Sequence, residues 1–496
     1  MLRKNLLANF SSLFIATSLA LLCVPFYLKW LGADAYGLVG LASMVQAWIM
    51  LLSAAVMPVM GRQAAQAHAG TITWHEAAVF FKAVDWFFFV TSSVLIVIAI
   101  FCVDWLANNW LGQTGLKNET VKVALVMLLV IALARMSCSV NYGVLANAEA
   151  QVWMGWNVIV FSFLRFAVSL PLIYFSKSVE LLFLWWCISA LLELVSIKSK
   201  IKRIVSVTLP FFLFDFSHVK KHARIALPLF FTGLIWVLLT QLDKLVLSSI
   251  LPLSEYAYFS VATLLASCVL LVSQPVGQAF QPRITKAYSV AGLSAALDEF
   301  SHCTRWVVLL IFPLASVLIF LPESVVYVWT GDQEVARRTA DIMRGYVAGN
   351  VLVGVGGLLY MLQVAIGNVR LHFWGNVIFA VILVPLVPIV ANRYGAEGAA
   401  WLWASTNLFI FVFWNAFVLR KLANELFPKW ILVQTLLPLA VTFLVGYIFS
   451  LWLVGGESRL YQFFFGILAF IVTSMVLVLV VKLPSRKSLL GGKASL

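Results

Sequence analysis

Charged residues are scarce in this sequence, in which Asp, Glu, Lys and Arg together make up only 11% of 496 residues. Hydrophobic residues make up 63%, and no soluble domain could cover such a composition with polar surface. Apolar runs of about 18 to 25 residues, long enough to cross a bilayer as a helix, recur along the whole chain. The composition therefore excludes a soluble protein and predicts an all-α polytopic membrane protein.

Several chemical signatures are also missing. The six cysteines lie singly, with no CxxC pair and no Cys/His cluster, so neither a disulfide framework nor a metal site is predicted. A GxxxxGK(S/T) phosphate-binding loop is absent, which leaves direct ATP hydrolysis without support. The longest loop available for periplasmic catalytic residues, near 331–342, is too short for a membrane polysaccharide polymerase or ligase. We therefore predict a protein that is not an enzyme and has no resident cofactor.

The apolar runs predict fourteen membrane-spanning helices. Their approximate bounds are 6–30, 37–61, 82–104, 121–147, 153–176, 179–197, 225–250, 256–281, 303–330, 343–366, 372–392, 396–419, 430–453 and 460–482. The first run follows Arg3 and Lys4 and is too long for the core of a signal peptide, so we expect it to remain in the protein as a helix.

Lys and Arg are distributed unevenly between the two sides of this predicted topology. If the N-terminus is cytoplasmic, the two tails and the loops after even-numbered helices contain most of the 34 Lys and Arg residues. Cytoplasmic loops of membrane proteins carry such an excess, so both termini are predicted to be cytoplasmic. The net charge of +14 then reflects topology and does not indicate a nucleic-acid partner.

The chain contains an internal repeat. The polar turn LGADAYG at 31–37 is echoed by LPLSEYA at 251–257, and LANAEAQVWMGWNVI at 145–159 matches AIGNVRLHFWGNVIF at 365–379 with almost the same offset. Six helices separate the copies, so both copies begin on the same side of the membrane. They are expected to be related by a pseudo-twofold axis along the membrane normal, an arrangement typical of secondary transporters.

The repeat predicts two six-helix lobes joined by a basic segment. The predicted domains are an N-terminal lobe at 1–200, a cytoplasmic interfacial tether at 201–224, a C-terminal lobe at 225–420, and two further helices with a cytoplasmic tail at 421–496. The apolar piece of the tether, 208–216, is expected to lie along the cytoplasmic membrane interface.

Several stretches resemble one family of membrane transporters. They are NLLANFSS (5–12), PFYLKWLGADAYGLVGLASMVQAW (25–48), MGRQAA (60–65), LDKLVLSSILPLSEYAYFSVA (242–262), GNVRLHFWGNVIF (367–379) and YGAEGAAWLWAS (394–405). They look like parts of Wzx-type polysaccharide flippases, in the multidrug/oligosaccharidyl-lipid/polysaccharide exporter (MOP) superfamily, and the resemblance covers about residues 5–420. Relatives often carry an acidic-glycine turn at the end of the second helix. This chain has SAAVMPVMG (53–61) there, so no acidic coupling residue is assigned to that helix.

The resemblance implies a flippase that moves an undecaprenyl-diphosphate-linked oligosaccharide, an O-antigen or related polysaccharide repeat unit, from the cytoplasmic to the periplasmic leaflet of a bacterial inner membrane. Transport would proceed by alternating access between the two lobes. Exchange of H+ or Na+, the membrane potential or removal of the product would drive it. Membrane lipid and other polysaccharide-assembly membrane proteins are the implied partners, and we expect a monomer because the cavity forms within one chain.

A diphosphate with several sugars needs a wet, cationic central cavity to cross the hydrocarbon. Polar stripes at helical spacing on the first, second, seventh and eighth predicted helices mark the wall of such a cavity. The uncharged residues assigned to it are Asn9, Gln46, Gln241, Gln274 and Gln278. Hydrogen bonding between helices is the alternative explanation for these side chains.

Three cationic side chains lie inside predicted spans, where each costs about 2.5–3.5 kcal/mol at a helix centre and so faces protein or water. Arg135 and Arg165 lie near the midplane on the fourth and fifth helices and are predicted to clamp a diphosphate. The alternative is a structural pairing with Glu193, Asp85 or backbone carbonyls. Lys244 continues the polar stripe of the seventh helix and is assigned to the substrate.

Other charged residues receive roles of two kinds. Asp243 lies off the polar stripe and is expected to be a structural or proton-coupling carboxylate. Arg62 and Arg283 are equivalent in the repeat and lie at the predicted cytoplasmic entrance. They would either capture the diphosphate there or serve as positive-inside anchors.

Two other transporters of the same superfamily are alternatives. A cation-coupled drug exporter would favour acidic residues in its cavity, whereas the charges inside the central spans here are mostly basic. A lipid II flippase would be expected to carry arginines in the first, second and eighth helices, which have them here only at their ends, as Arg62 and Arg283. The membrane polymerase or ligase considered above is the alternative from another class.

Overall fold

Helices make up nearly all of the computed structural model. It describes residues 2–111, 114–207, 216–452 and 458–481, of which helical residues 2–10 and 216–229 are described by their backbone alone. The helices are α1 (Leu2–Leu31), α2 (Ala33–His68), α3 (Trp74–Trp110), α4 (Asn118–Asn147), α5 (Gln151–Ser176), α6 (Val179–Val205), α7 (Phe216–Ile250), α8 (Leu253–Phe320), α9 (Pro322–Thr330), α10 (Gln333–Ile366), α11 (Arg370–Ala423), α12 (Lys429–Trp452) and α13 (Arg459–Val481). No β-strand occurs among the described residues, which confirms the predicted all-α class.

Twelve helical segments of the described chain are long and apolar enough to cross a membrane. Two of them, α8 with 68 residues and α11 with 54, are much longer than one crossing requires. Each is interrupted by a glycine with non-helical backbone angles, Gly292 (φ 75°) in α8 and Gly395 (φ 60°) in α11. Glycine adopts positive φ values with little conformational strain, because it has no Cβ atom. Dividing both helices at these glycines recovers about fourteen spans, in agreement with the sequence prediction.

The chain divides into two compact units. Unit 1 comprises Met1–Ala257 with Ala380–Pro388, and unit 2 comprises Tyr258–Phe379 with Ile389–Leu496. These units are defined by packing, whereas the predicted lobes are defined by the sequence repeat. The bounds of the lobes therefore stay a prediction. The predicted interfacial piece of the tether, 208–216, lies outside the described residues except for its last position.

In unit 1, the LGADAYG stretch forms the predicted turn. α1 ends at Leu31, Gly32 follows with φ 86°, and α2 begins at the next residue. The first turn of α2 packs against the echo of the same sequence, at the start of α8. A Cβ atom built on Gly37 would overlap the carbonyl oxygen of Leu253, so the two copies of the repeat meet here with no space for a side chain.

Replacing Gly37 with Ala is expected to lower the thermal unfolding midpoint of the purified protein, because overpacking costs about 1–3 kcal/mol. Gly357→Ala is the matched control. It is also a helical glycine, but a built Cβ meets nothing within 4 Å, and alanine is the better helix former by about 1 kcal/mol. An unchanged midpoint for Gly37→Ala would contradict the close contact between the two copies.

In unit 2, Asn350 of α10 connects three helices. Its side-chain amide donates to the carbonyl of Ala266 in α8 at 2.9 Å and accepts from the indole of Trp403 in α11 at 3.0 Å. Further along, the buried ring of Trp430 in α12 donates to Thr304 at 2.9 Å. Buried polar groups of this kind need hydrogen-bond partners, and here each partner comes from a different helix. These bonds fix α10, α11 and α12 against α8.

The C-terminal helix α13 packs against α12, with the rings of Phe449 and Phe465 5.4 Å apart, and one arginine binds its start to α9. Arg459, at the first position of α13, donates from Nε and Nη2 to the carbonyl of Val328 at 2.8 and 2.6 Å, and from Nη2 to Trp329 at 3.3 Å. These carbonyls belong to the last turn of α9, which ends at Gly331 in the left-handed conformation. A cation at a helix C-terminus satisfies carbonyls that lack helical partners and also complements the helix dipole.

Replacing Arg459 with Lys is therefore expected to weaken the attachment of α13, because lysine keeps the charge but lacks the planar fork of donors. We expect faster proteolysis of a protease site introduced before α13, with a loss of about 1–2 kcal/mol in local stability. Arg393→Lys, on the exposed surface of α11, is the control. Equal proteolysis rates for the two variants would show that Arg459 does not hold the helix.

Candidate functional site

Charged side chains inside unit 1 converge on helices α3 to α6. Arg135 of α4 donates from Nη1 to Oε2 of Glu193 in α6 at 3.3 Å. The Glu193 side chain is buried at 5% exposure, whereas that of Arg135 is 31% exposed. The second oxygen of Glu193 accepts from the hydroxyl of Tyr142 at 3.0 Å. Glu193 is thus bonded through both oxygens to α4, which is the structural pairing considered above as the alternative for Arg135.

The network continues into α5. The amide of Asn157 donates to the Tyr142 hydroxyl at 2.9 Å, and its oxygen accepts from Ser196 at 2.8 Å. A second ion pair, between Lys198 and Asp85, shares Asn141, which accepts from Lys198 at 3.1 Å and donates to Asp85 at 3.4 Å. This second pair is neutral as a whole.

Arg165 of α5 has two buried donors without partners, whereas Arg135 has one, its Nε atom. The residue exposure of Arg165 is 7%, and its Nε and Nη2 atoms are fully buried without a hydrogen-bond partner. The guanidinium carbon lies 6.0 Å from the ring centre of Trp186, within range of a cation–π contact. Arg165 also interacts electrostatically with Arg135 and Glu193. The structure therefore brings together the two arginines predicted from the sequence.

We refer to Arg135, Arg165 and Glu193 as the arginine cluster. It contains two positive charges and one negative charge, so one positive charge has no counter-ion within the cluster. A buried, unpaired charge is expensive and is retained in membrane proteins where it has a partner or a function. The arrangement can bind an anion, and it is unsuited to an organic cation.

The other predicted site residues have surroundings of their own. Lys244 donates to the carbonyl of Thr240 in its own helix at 2.9 Å, and the carboxylate of Asp243 accepts from the backbone N–H of Lys244 at 2.8 Å. Gln46 and Gln241 in unit 1 are half-buried, and Gln274 and Gln278 in unit 2 are exposed. The side chain of Asn9 lies outside the described residues.

The two predicted entrance arginines, Arg62 and Arg283, are both exposed. Arg283 also forms an ion pair with Glu299 at 3.1 Å, and its guanidinium lies 4.9 Å from the ring centre of Phe280.

Sequence reasoning missed part of the network. Asn157, Trp185 and Trp186 were given no role, although each lies on a predicted span. A buried amide on an otherwise apolar helix is a usable signal, because such groups hydrogen-bond across helices. The tryptophans gave no comparable signal, since most tryptophans near span ends serve as interfacial anchors. Within the described part of the chain, no three His, Cys, Asp or Glu side chains are arranged to hold a metal ion.

Comparison with known proteins identifies the fold. The MatE family model matches residues 228–389, about a third of the chain. A structure of the lipid II flippase MurJ in an inward closed conformation has a TM-score of 0.74 at 16% identity, over 95% of this chain and 98% of that chain. An inward-facing structure of a multidrug resistance MATE family transporter of the MOP superfamily has a TM-score of 0.66 at 17% identity, over 84% of this chain and 99% of that chain. A structure of a mutant of the Vibrio cholerae MATE transporter VcmN has a TM-score of 0.57 at 14% identity, over 84% of this chain and 94% of that chain.

No curated protein matches the sequence. At such low identities the structural likeness shows the fold alone, which is the fold of MurJ and the MATE transporters. The MatE match and this fold agree with the twelve helices of the described chain that are long and apolar enough to cross a membrane. The structures it resembles are described as transporters and a flippase.

Proposed function

We propose that this protein flips an undecaprenyl-diphosphate-linked oligosaccharide, an O-antigen or a related polysaccharide repeat unit, across a bacterial inner membrane. The headgroup moves from the cytoplasmic to the periplasmic leaflet by alternating access, while the polyprenyl tail stays in lipid. Both termini are proposed to be cytoplasmic. The sequence resemblance to Wzx-type flippases and the MurJ-like fold support the proposal.

The observation that carries the proposal is the excess positive charge of the arginine cluster. Arg165 is buried inside a span with donors that have no partner, and Glu193 is already bonded to Arg135 and Tyr142. Placing such a cation in a membrane costs about 2.5–3.5 kcal/mol on insertion scales. A transported diphosphate supplies the missing negative charge, whereas a cationic drug would be repelled.

The remaining residues receive supporting roles. We propose that Lys244, Gln241, Gln46, Asn9, Gln274 and Gln278 contact the polar headgroup during its passage. Arg62 and Arg283 attract the diphosphate to the cytoplasmic entrance, and Asp243 serves a structural or proton-coupling role. No resident cofactor takes part, and exchange of H+ or Na+ is the proposed ionic driving force.

Lipid II is the second candidate substrate. The MurJ match covers 95% of the chain, whereas the MATE matches cover 83–86%. Residues 429–496 are more than a tenth of the chain, so a match over 95% must extend into the C-terminal segment that follows the second lobe. This coverage favours a lipid flippase over a drug exporter. Both lipid substrates carry a prenyl diphosphate, so the role of the arginine cluster is the same for either one.

Transport in proteoliposomes tests the proposal. The purified full-length chain is reconstituted with one of three fluorescent substrates: an undecaprenyl-diphosphate oligosaccharide, lipid II or an organic cation. A membrane-impermeant quencher reports the leaflet of each lipid headgroup. We expect protein-dependent transfer of the oligosaccharide lipid, slower transfer of lipid II and no uptake of the cation. Transfer of lipid II alone would favour the second candidate, and uptake of the cation alone would contradict the proposal.

A further inference from the structure

The backbone around Arg165 departs from the regular α-helix. Residues Phe163–Ala167 form a turn of π-helix, which closes with a hydrogen bond of 3.2 Å from the N–H of Val168 to the carbonyl of Phe163. A π turn shifts the hydrogen-bond register by one residue, so a carbonyl within it pairs with the N–H five residues further along and not four. Such turns are rare and are often found at functional sites. We refer to Phe163–Ala167 as the Arg165 π turn.

Side chains donate to the carbonyls of this turn. The indole N–H of Trp185 donates to the carbonyl of Leu164 at 2.7 Å, and that of Trp186 donates to the carbonyl of Arg165 at 3.1 Å. The next carbonyl, that of Phe166, accepts from the hydroxyl of Ser169 at 2.7 Å. Three consecutive carbonyls thus accept hydrogen bonds from side chains, two of which are adjacent tryptophans on α6. Buried carbonyls without such donors would be costly.

The same tryptophans constrain the side chain of Arg165. The Trp186 ring lies beside the guanidinium and packs edge to face against Tyr27 and Phe183, with centroid distances of 6.1 and 5.8 Å. Trp186 and these two neighbours are buried. Because Trp186 contacts both the backbone and the cation of Arg165, it determines the direction in which the guanidinium extends.

The unpartnered atoms of Arg165 form one particular edge. Nε–H and the neighbouring Nη2–H of a guanidinium point in the same direction, and this pair matches two oxygens of a phosphate or carboxylate. These are the two nitrogen atoms without partners in Arg165. The free edge is therefore a complete bidentate donor pair for one oxyanion. Both nitrogen atoms are fully buried, so ligand binding at this edge requires the structure around Arg165 to open.

We propose that Trp185 and Trp186 are positioning residues that hold the Arg165 π turn so that the Nε/Nη2 edge binds one phosphate of a prenyl diphosphate. This inference rests on the proposed function and adds to it the residues that orient the anion-binding arginine. The two indole N–H groups act on the backbone of Arg165, and the Trp186 ring acts on its side chain. Arg135 keeps its ion pair with Glu193, and its positive charge adds to the attraction of the site for an anion.

Ligand binding by the purified full-length protein in nanodiscs tests this proposal. The probe is farnesyl diphosphate, a short prenyl diphosphate, with inorganic diphosphate and farnesol as comparison ligands. The variants are Arg165→Lys, Trp185→Phe and Trp186→Phe, the last two of which keep an aromatic ring but lose the N–H donor. Trp156→Phe, at a position on α5 that is 65% exposed, is the matched control. Thermal unfolding without ligand is measured in parallel.

We expect Arg165→Lys to weaken binding of farnesyl diphosphate by at least about tenfold, because lysine cannot donate through a planar pair. Each of Trp185→Phe and Trp186→Phe should weaken binding by about three- to tenfold, the effect of losing one hydrogen bond. Trp156→Phe and the affinity for farnesol should not change. If Trp186→Phe fails to fold, the affinity of the Trp185→Phe variant tests the proposal, because Trp185 is only half-buried.

Lower unfolding midpoints with unchanged affinity in both tryptophan variants would overturn the proposal, because a purely structural role predicts that result. A loss of affinity in Arg165→Lys alone would also overturn it, while leaving the proposed function intact. Equal affinity for farnesyl diphosphate and inorganic diphosphate, with the expected variant effects, would support the positioning role and contradict a lipid-linked substrate. Failure of the wild-type protein to bind either diphosphate would overturn both.

Discussion

Replacing Arg165 with Gln is expected to slow headgroup translocation by about ten- to a hundredfold, because hydrogen bonds to charged groups contribute about 1.5–3 kcal/mol. The substitution removes the one positive charge of the arginine cluster that Glu193 does not balance. It also removes the unpartnered Nε/Nη2 edge. The rate is measured with the oligosaccharide lipid in proteoliposomes at equal protein content.

Two further variants show whether charge or geometry causes this loss. Arg165→Lys keeps the charge and should transport at an intermediate rate, since lysine binds phosphate as a point charge. Arg338→Gln removes an exposed arginine that pairs with Glu334 on the surface of α10, and it should leave the rate unchanged. Wild-type rates in both Arg165 variants would show that Arg165 has a structural role and that the anion site is misplaced.

Replacing Glu193 with Gln is expected to produce the largest loss of stability. The carboxylate is the counter-ion of Arg135 and interacts with Arg165, so its removal raises the charge of the cluster from one to two. Breaking a buried ion pair from one side costs about 3–5 kcal/mol. Because Arg135 is partly exposed, we expect the loss of stability to lie near the lower end of this range. The thermal unfolding midpoint of the purified protein should fall clearly, with or without ligand.

Glu334→Gln is the matched control, because it makes the same chemical change in an exposed i,i+4 pair at 57% side-chain exposure. Such surface pairs contribute about 0–1 kcal/mol. Combining Glu193→Gln with Arg135→Gln should recover part of the lost stability, since the double variant no longer contains the unpaired Arg135. Similar midpoints for Glu193→Gln and Glu334→Gln would contradict the proposed charge balance.

The helices and their number were predictable because apolar run length alone determines which segments can cross a bilayer. The turn at LGADAYG was predictable from its glycines and aspartate, and the repeat indicated that this turn would occur twice. Arg135 and Arg165 were identifiable because a charge inside an apolar run is rare and expensive. None of these inferences requires knowledge of which helices are neighbours.

The rest of the site depends on packing between helices. Whether Glu193 would face Arg135 or another cation follows from the rotation of α6 against α4, which sequence spacing does not specify. The π turn at Phe163–Ala167 depends on donors from α6 and has no signature in the FLRFA sequence itself. The helices α8 and α11 are interrupted at Gly292 and Gly395. Many other glycines lie inside regular helix, so the presence of glycine alone does not predict where a helix is interrupted. These features arise from tertiary structure.

The most direct test of the central claim is the leaflet distribution of lipid-linked oligosaccharide in cells from which this protein can be depleted. Enzymatic labelling of the headgroup from the periplasmic side measures the exposed fraction. We expect depletion to leave the oligosaccharide lipid on the cytoplasmic leaflet. The wild-type protein should restore periplasmic labelling, whereas an abundant Arg165→Gln variant should not. Undiminished periplasmic labelling after depletion would contradict the proposed function.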